Sequence, residues 1–152
     1  MSGCEFPGAS ARERRGFELA YKVALEAPRT AQVRVGAVAV RAKTWVACCN
    51  MPGKTHPEIA RLPYERNAAC HAEFRVTRHT MYFQGGWEMF VVRVGKRGEV
   101  LPSRPCKGCM GAIQWSPSPI RGLLGWISKV CFLEGGNVQR IRPLYRLKWS
   151  RI

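Results

Sequence analysis

The chain has 152 residues and a mass of 17.1 kDa, enough for one domain over 1–152 that buries roughly 68–70% of the surface its unfolded chain exposes. With 46% hydrophobic and 23% charged residues, disorder, collagen-like repeats and coiled coil are excluded as general descriptions. The 25 Lys and Arg against 10 acidic residues give a formal charge of +15, which points to an anionic partner such as phosphate or nucleic acid; the acids are all Glu, which excludes aspartic-protease dyads, Asp-bearing kinase motifs and the usual EF-hand loop.

From Ser10 onward, Phe17, Leu19, Ala20, Val23, Ala24 and Ala27 recur at helical spacing. Ser10 can act as N-cap with Glu13 three residues on, and Pro28 ends the run. Val33 to Val40 alternates, and after the polar break at Arg41 to Lys43 a second apolar run extends from Thr44 to Cys49, which together read as a β-hairpin. The stretch from Asn50 to Ala69 holds Pro52, Gly53, Pro57 and Pro63 and is expected to be loop, long enough to imply a functional reason. Cys70 to Thr80 reads as a second helix, and Trp87 to Val94, dense in aromatic and β-branched residues, as a central strand. A polar turn from Gly95 to Pro105 leads into a short helix from Cys106 to Trp115. Ile127 to Leu133 forms a fourth strand ending at Gly135 and Gly136, and Arg140 to Ile152 a fifth, with an antiparallel placement favoured by the length left for a connection. Helices and strands interleave, so the expected fold class is an α/β domain with a mixed sheet covered by helices.

No stretch approaches the ~18–20 apolar residues that span a bilayer, and the N-terminal region carries Glu5, Glu13, Glu18 and Glu26 without an apolar signal core. A cytoplasmic protein with no membrane partner is expected. Seven irregularly spaced cysteines suit core thiols or metal ligands better than a disulfide framework; Cys48, Cys49 and Cys131, in apolar strands, read as small buried hydrophobes.

Chemistry concentrates in His71-Ala72-Glu73 at one helix start and Pro105-Cys106-Lys107-Gly108-Cys109 at another. His71, Cys106 and Cys109 offer an imidazole and two thiolates, a tetrahedral zinc shell that keeps one position open for water, as catalytic sites do. The Cys-x-x-Cys spacing lets both sulfurs meet one ion across a first helical turn, where free N–H groups and the dipole favour thiolate. Pro105 suits the place just before that turn. Glu73, two residues beyond His71, can approach the metal's water without ligating the ion and can carry its proton. His-x-Glu with Pro-Cys-x-x-Cys is the signature of the zinc nucleobase deaminases.

The sequence resembles the cytidine and deoxycytidylate deaminase superfamily, of phage and bacterial type, from the first helix through the strand Ile127 to Leu133. Besides the metal motifs, the likeness rests on Arg34-Val35-Gly36-Ala37-Val38, the second strand ending in Asn50, Lys54-Thr55-His56-Pro57, and the spacing of Arg93, Gly98, Ser103 and Pro105. The resemblance implies a three-layer α-β-α fold with a five-stranded mixed sheet, one catalytic zinc ion, and hydrolytic deamination of cytosine. It further implies that Asn50 contacts the sugar and the Ala72 backbone the base, with His56 and Pro105 on the substrate side of the pocket. The tRNA adenosine deaminases usually carry Glu before Pro-Cys, where Arg104 stands here, and a compact loop where this chain has Met51 to Cys70. Cys48, Cys49, His56 and Cys70 follow no second ligand spacing, so one metal is expected.

Three readings stay open. The substrate is a free nucleotide or nucleoside, with Arg34, Arg61 or Arg104 holding a phosphate; or it is a base in single-stranded DNA or RNA, for which the charge of +15 is better suited; or the chain is a silent nucleic-acid-binding relative that keeps zinc for stability. Basic residues at 140, 142, 146, 148 and 151, with Tyr145 and Trp149, form either a polynucleotide track or a charged edge strand. Relatives commonly form multimers, so a homo-oligomer is a further expectation.

Overall fold

A computed structural model describes residues 6–28, 33–50, 71–80, 86–107, 109–110 and 127–142, without the side chains of Phe74, Arg78 and His79. The chain order is α1 (Ala11–Leu25), β1 (Arg34–Arg41), β2 (Thr44–Cys49), α2 (Ala72–Thr80), β3 (Trp87–Val94), β4 (Val100–Leu101), β5 (Ile127–Glu134) and β6 (Asn137–Ile141). The strands form one mixed sheet in the order β2-β1-β3-β5-β6, with β4 added to the end of β3. β3 and β5 run parallel, and the other pairings are antiparallel.

Local sequence explains the first elements directly. The Ser10 hydroxyl accepts the Glu13 N–H at 3.2 Å while Glu13 Oε1 accepts the Ser10 N–H at 2.9 Å, a reciprocal cap that fixes where α1 starts. Its apolar stripe, Phe17, Ala20 and Ala24, lies against Val38, Val40, Phe90 and Val92 on one sheet face. Phe17 stacks on Phe6 at 5.0 Å and meets Phe90 edge-on at 5.4 Å. Gly36 is where helix and sheet come closest, since a Cβ there would stand 2.0 Å from Ala20 O and 2.6 Å from Ala24 N. On the opposite face Ala72 and Val76 of α2 cover Ala37, Ala39, Met89, Val91, Val130 and Phe132. The sheet is therefore sandwiched between helices, as the expected three-layer arrangement requires. β3, buried on both faces, accordingly reads as a nearly continuous apolar run, and Trp87 is a core residue at 1% exposure.

Two sequence expectations need correction. The turn from Gly95 to Pro105 contains β4, which pairs Arg93 with Leu101 and Val94 with Val100 and adds a two-residue strand beside the five-strand path of the expected mixed sheet. Gly135 and Gly136, with φ of 65° and 79°, form a two-residue hairpin turn, and β6 starts at once at Asn137. The last strand is antiparallel as expected, but it lies earlier than Arg140 to Ile152; residues 143–152 lie outside the described residues. Arg140, one of the basic residues assigned to that tail, is engaged within the fold. It donates to Glu13 at 2.7 Å and 2.6 Å, because the N-terminal end of α1 brings a buried carboxylate beside β6. Lys129 joins the same carboxylate at 3.2 Å and Glu88 at 3.1 Å.

Candidate metal centre and cavity

The centre forms where several chain ends meet on the α2 face: the C-terminal ends of β2 and β3, the start of β1, the start of α2, and a helical turn that opens at Lys107. His71 immediately precedes α2, and Cys106 precedes the turn, whose Met110 N–H bonds to Cys106 O at 2.9 Å. Arg75, one turn into α2, donates to the Cys49 carbonyl and ties the helix to the end of β2.

His71 Nδ1 lies 3.2 Å from Cys109 Sγ and 3.5 Å from Cys106 Sγ. Together the three ligand atoms sit within 4.8 Å of one another, the one such group among the described residues. A tetrahedral zinc with Zn–N of ~2.0–2.1 Å and Zn–S of ~2.3 Å would separate nitrogen from sulfur by about 3.6 Å. The spacing thus fits one Zn2+, and the donor set of one imidazole and two thiols suits that ion. The neighbouring Cys109 thiol, the His71 ring and the Cys109 N–H, which lies 3.4 Å from Cys106 Sγ, hold the Cys106 thiol down to about 4 against the opposing effect of burial.

Glu73 lies on the first turn of α2 and lines the same cavity as His71 and Cys106, yet it stands outside the ligand group. Only 6% of it is exposed. Burial raises its carboxyl above the usual carboxylate range, opposed by its own backbone N–H and by His71. A buried carboxyl beside the ligand group but outside it is placed to accept and return a proton.

The cavity encloses about 290 Å³, and besides these residues its wall includes Asn50, Ala72, Arg93, Ser103 and Arg104. Asn50 is clamped: Oδ1 accepts the Val35 N–H at 2.7 Å, Nδ2 donates to Val33 O at 2.7 Å, and its backbone N–H reaches Val35 O at 3.0 Å. Those partners assign the amide's orientation and leave one Nδ2 hydrogen uncommitted. Pro105 is buried just behind Cys106 and is not among the lining residues. His56 and Arg61 lie outside the described residues, as do Cys70, Tyr145 and Trp149.

Of the expected phosphate arginines, Arg104 lines the cavity, stacks over Phe132 at 5.3 Å and meets Glu134 at 3.4 Å. Arg34 does not line it. By alternation it falls on the α1 face with Gly36, and its guanidinium donates to Gly95 O at 3.0 Å. Sequence reasoning gave no site role to Arg93 or Ser103. Both entered only as marks of the family likeness; a cation at the end of an otherwise apolar core strand was a further signal for Arg93, whereas the partners of Ser103 are distant in the chain.

Residues 10–120 match the family model for the cytidine and deoxycytidylate deaminase zinc-binding region. No curated protein matches the chain.

Proposed function

Since the chain belongs to the cytidine and deoxycytidylate deaminase family, we propose that it hydrolyses the exocyclic amine of cytosine in a nucleotide or nucleoside, consuming water and giving uracil and ammonia. The supporting observation is the convergence of His71, Cys106 and Cys109 with the non-ligating Glu73 on one cavity. Zinc, when bound, would supply a Lewis acid that lowers the pKa of water from 15.7 to about 7.

The chain's own groups do the rest. Glu73 accepts a first proton from the water and passes it to N3 of the ring, then accepts a second from the hydroxyl added at C4 and delivers it to the departing amine as the carbonyl forms, so the carboxylate is regenerated in each cycle. Asn50, fixed by β1, offers its remaining N–H to a sugar oxygen, and the Ala72 backbone meets the base edge. His71 and the thiolates of Cys106 and Cys109 hold the ion. Buried surroundings keep bulk water from Glu73 and so strengthen its interactions. Thiolate ligands of this kind suit a reducing compartment, and we assign the protein to the cytoplasm.

A base in single-stranded DNA or RNA is the second reading, favoured by the charge of +15. The non-catalytic alternative is disfavoured by Glu73, which a purely structural zinc site would not use.

The test is a panel of cytidine, deoxycytidine, their monophosphates and short single strands, incubated with zinc-loaded protein and read by mass for the exchange of amine for carbonyl oxygen. Conversion of at least one substrate is expected. E73Q should retain zinc and fold while turnover falls by ~10²-fold or more. An unchanged rate in E73Q would remove the proton-transfer role, and a panel left wholly unconverted would remove the enzymatic reading.

A further inference from the structure

Beside the base cavity lies a second concavity of about 370 Å³, where Lys96 and Arg97 stand with Glu99. Val33 and Arg93 belong to both walls. Arg93 lies on the α2 face in the same alternation as Met89 and Val91, one step beyond the core and toward the metal group. Its Nε is buried without a hydrogen-bond partner, and no ion pair engages it among the described residues. The arginines beside it are committed, Arg34 to Gly95 O and Arg104 to Glu134. A buried N–H lacking an acceptor is unfavourable until one arrives, and a guanidinium at a cavity wall is matched to phosphate.

Lys96 and Arg97 are exposed on a turn whose backbone is held from several sides. Gly95 N–H reaches Glu99 O at 2.8 Å, Gly98 N–H reaches Gly95 O at 3.0 Å, and Tyr21 of α1 donates to Gly98 O at 2.7 Å. The two cations therefore stand on a fixed platform beside Arg93. Glu99 is the opposing charge in this wall, and its carboxylate accepts the Arg97 N–H at 3.4 Å.

We infer that the substrate's phosphates leave the base cavity along this path, the first at Arg93 and a second at Lys96 and Arg97. The inference rests on the deaminase reading and extends it: a substrate with two successive phosphates is favoured over a monophosphate. A nucleoside triphosphate and the next unit of a single strand share that chemistry.

Calorimetric binding to zinc-loaded E73Q, which is expected to keep zinc and fold but not to convert substrate during the measurement, tests this with cytidine, CMP, CTP and a deoxycytidine trinucleotide, the further variants being made in the same background. Either CTP or the trinucleotide should bind at least tenfold more tightly than CMP, and whichever does so identifies the source. In K96A/R97A, on an exposed turn, that advantage should fall to within threefold. R93Q should erase the advantage of CMP over cytidine, with the thermal midpoint confirming its fold. Equal affinity for all phosphorylated forms, or an advantage that survives K96A/R97A, would overturn the inference. Binding is read without turnover, so intact phosphate preference with no deamination would overturn the catalytic reading alone, whereas deamination without that preference would overturn this inference alone.

Discussion

Removing the Ser103 hydroxyl is expected to damage both the sheet and the metal centre. β3 and β5 pair in parallel only as far as Phe90 and Cys131, and β4 joins β3 at Arg93 and Val94. Ser103 fills the fork between them. Its hydroxyl donates to Val91 O at 2.8 Å and accepts the Leu133 N–H at 2.9 Å, while its own N–H reaches Leu133 O at 2.8 Å. At 4% exposure, no water can replace the hydroxyl in S103A. The alanine leaves a buried N–H and a buried C=O unpaired at ~1–3 kcal/mol each, and with the carbonyl at the low end the loss is about 3 kcal/mol. For a domain of this size that lowers the thermal midpoint by roughly 6–12 °C. Ser103 also anchors the chain just before Pro105 and Cys106, so zinc affinity in a chelator competition should fall by about tenfold, ~1.4 kcal/mol. A midpoint within ~1 °C of the parent and unchanged zinc affinity would refute the wedge role.

Three further outcomes are expected. Arg140 and Lys129 hold the Glu13 carboxyl below the usual carboxylate range, so the stability it contributes is present above pH ~4.5 and is lost as pH falls toward its depressed folded value. E13Q should therefore lose about 3 kcal/mol at pH 7 in urea unfolding, and its deficit relative to the parent should shrink as the pH is lowered from about 5 to 3. G36A places a methyl against the backbone of α1, 2.0 Å from Ala20 O, where no side chain can yield; a loss of about 3 kcal/mol is expected by the same assay. N50D would set a carboxylate oxygen against Val33 O in place of the present 2.7 Å hydrogen bond, raising the folded pKa of the new carboxyl. Its penalty, about 2 kcal/mol at pH 7, should diminish as pH falls through that raised folded value toward ~4, as the acid takes up a proton and can donate; a penalty independent of pH would contradict the clamp.

Much of this was legible in the chain. Ser10 and Glu13 marked the helix start because a cap is a local pattern, and Trp87 to Val94 declared a buried strand by its run of apolar residues. The ligand group was also legible, since zinc demands particular side chains at short spacings, and His71 with Cys106 and Cys109 meets that demand within two brief motifs. What escaped was non-local. The Glu13–Arg140 pair joins residues 127 positions apart, and nothing near Arg140 distinguished it from the basic residues that follow. β4, two residues long, is too short for an alternation to register. Gly135 and Gly136 mark the end of β5, and that they also form a two-residue turn directly into the next strand rests on their positive φ, a property of conformation that composition alone leaves ambiguous.

The ligands come from opposite sides of the sheet's central strand in the sequence. His71 and Cys109 are 38 positions apart, and β3 and β4 lie between them. An ion shared by these residues staples the chain into a closed loop, much as a disulfide would, while the described cysteines themselves are free thiols. By the loop-entropy relation used for disulfides, such a closure removes about 4 kcal/mol of freedom from the unfolded chain. That is a large share of the ~5–15 kcal/mol that holds a typical domain together. Metal supply then sets how many molecules are folded as well as how many are active. Under zinc scarcity, the expected first symptom is a fall in the amount of protein, through clearance of unfolded chains, with each surviving loaded molecule working at its full rate.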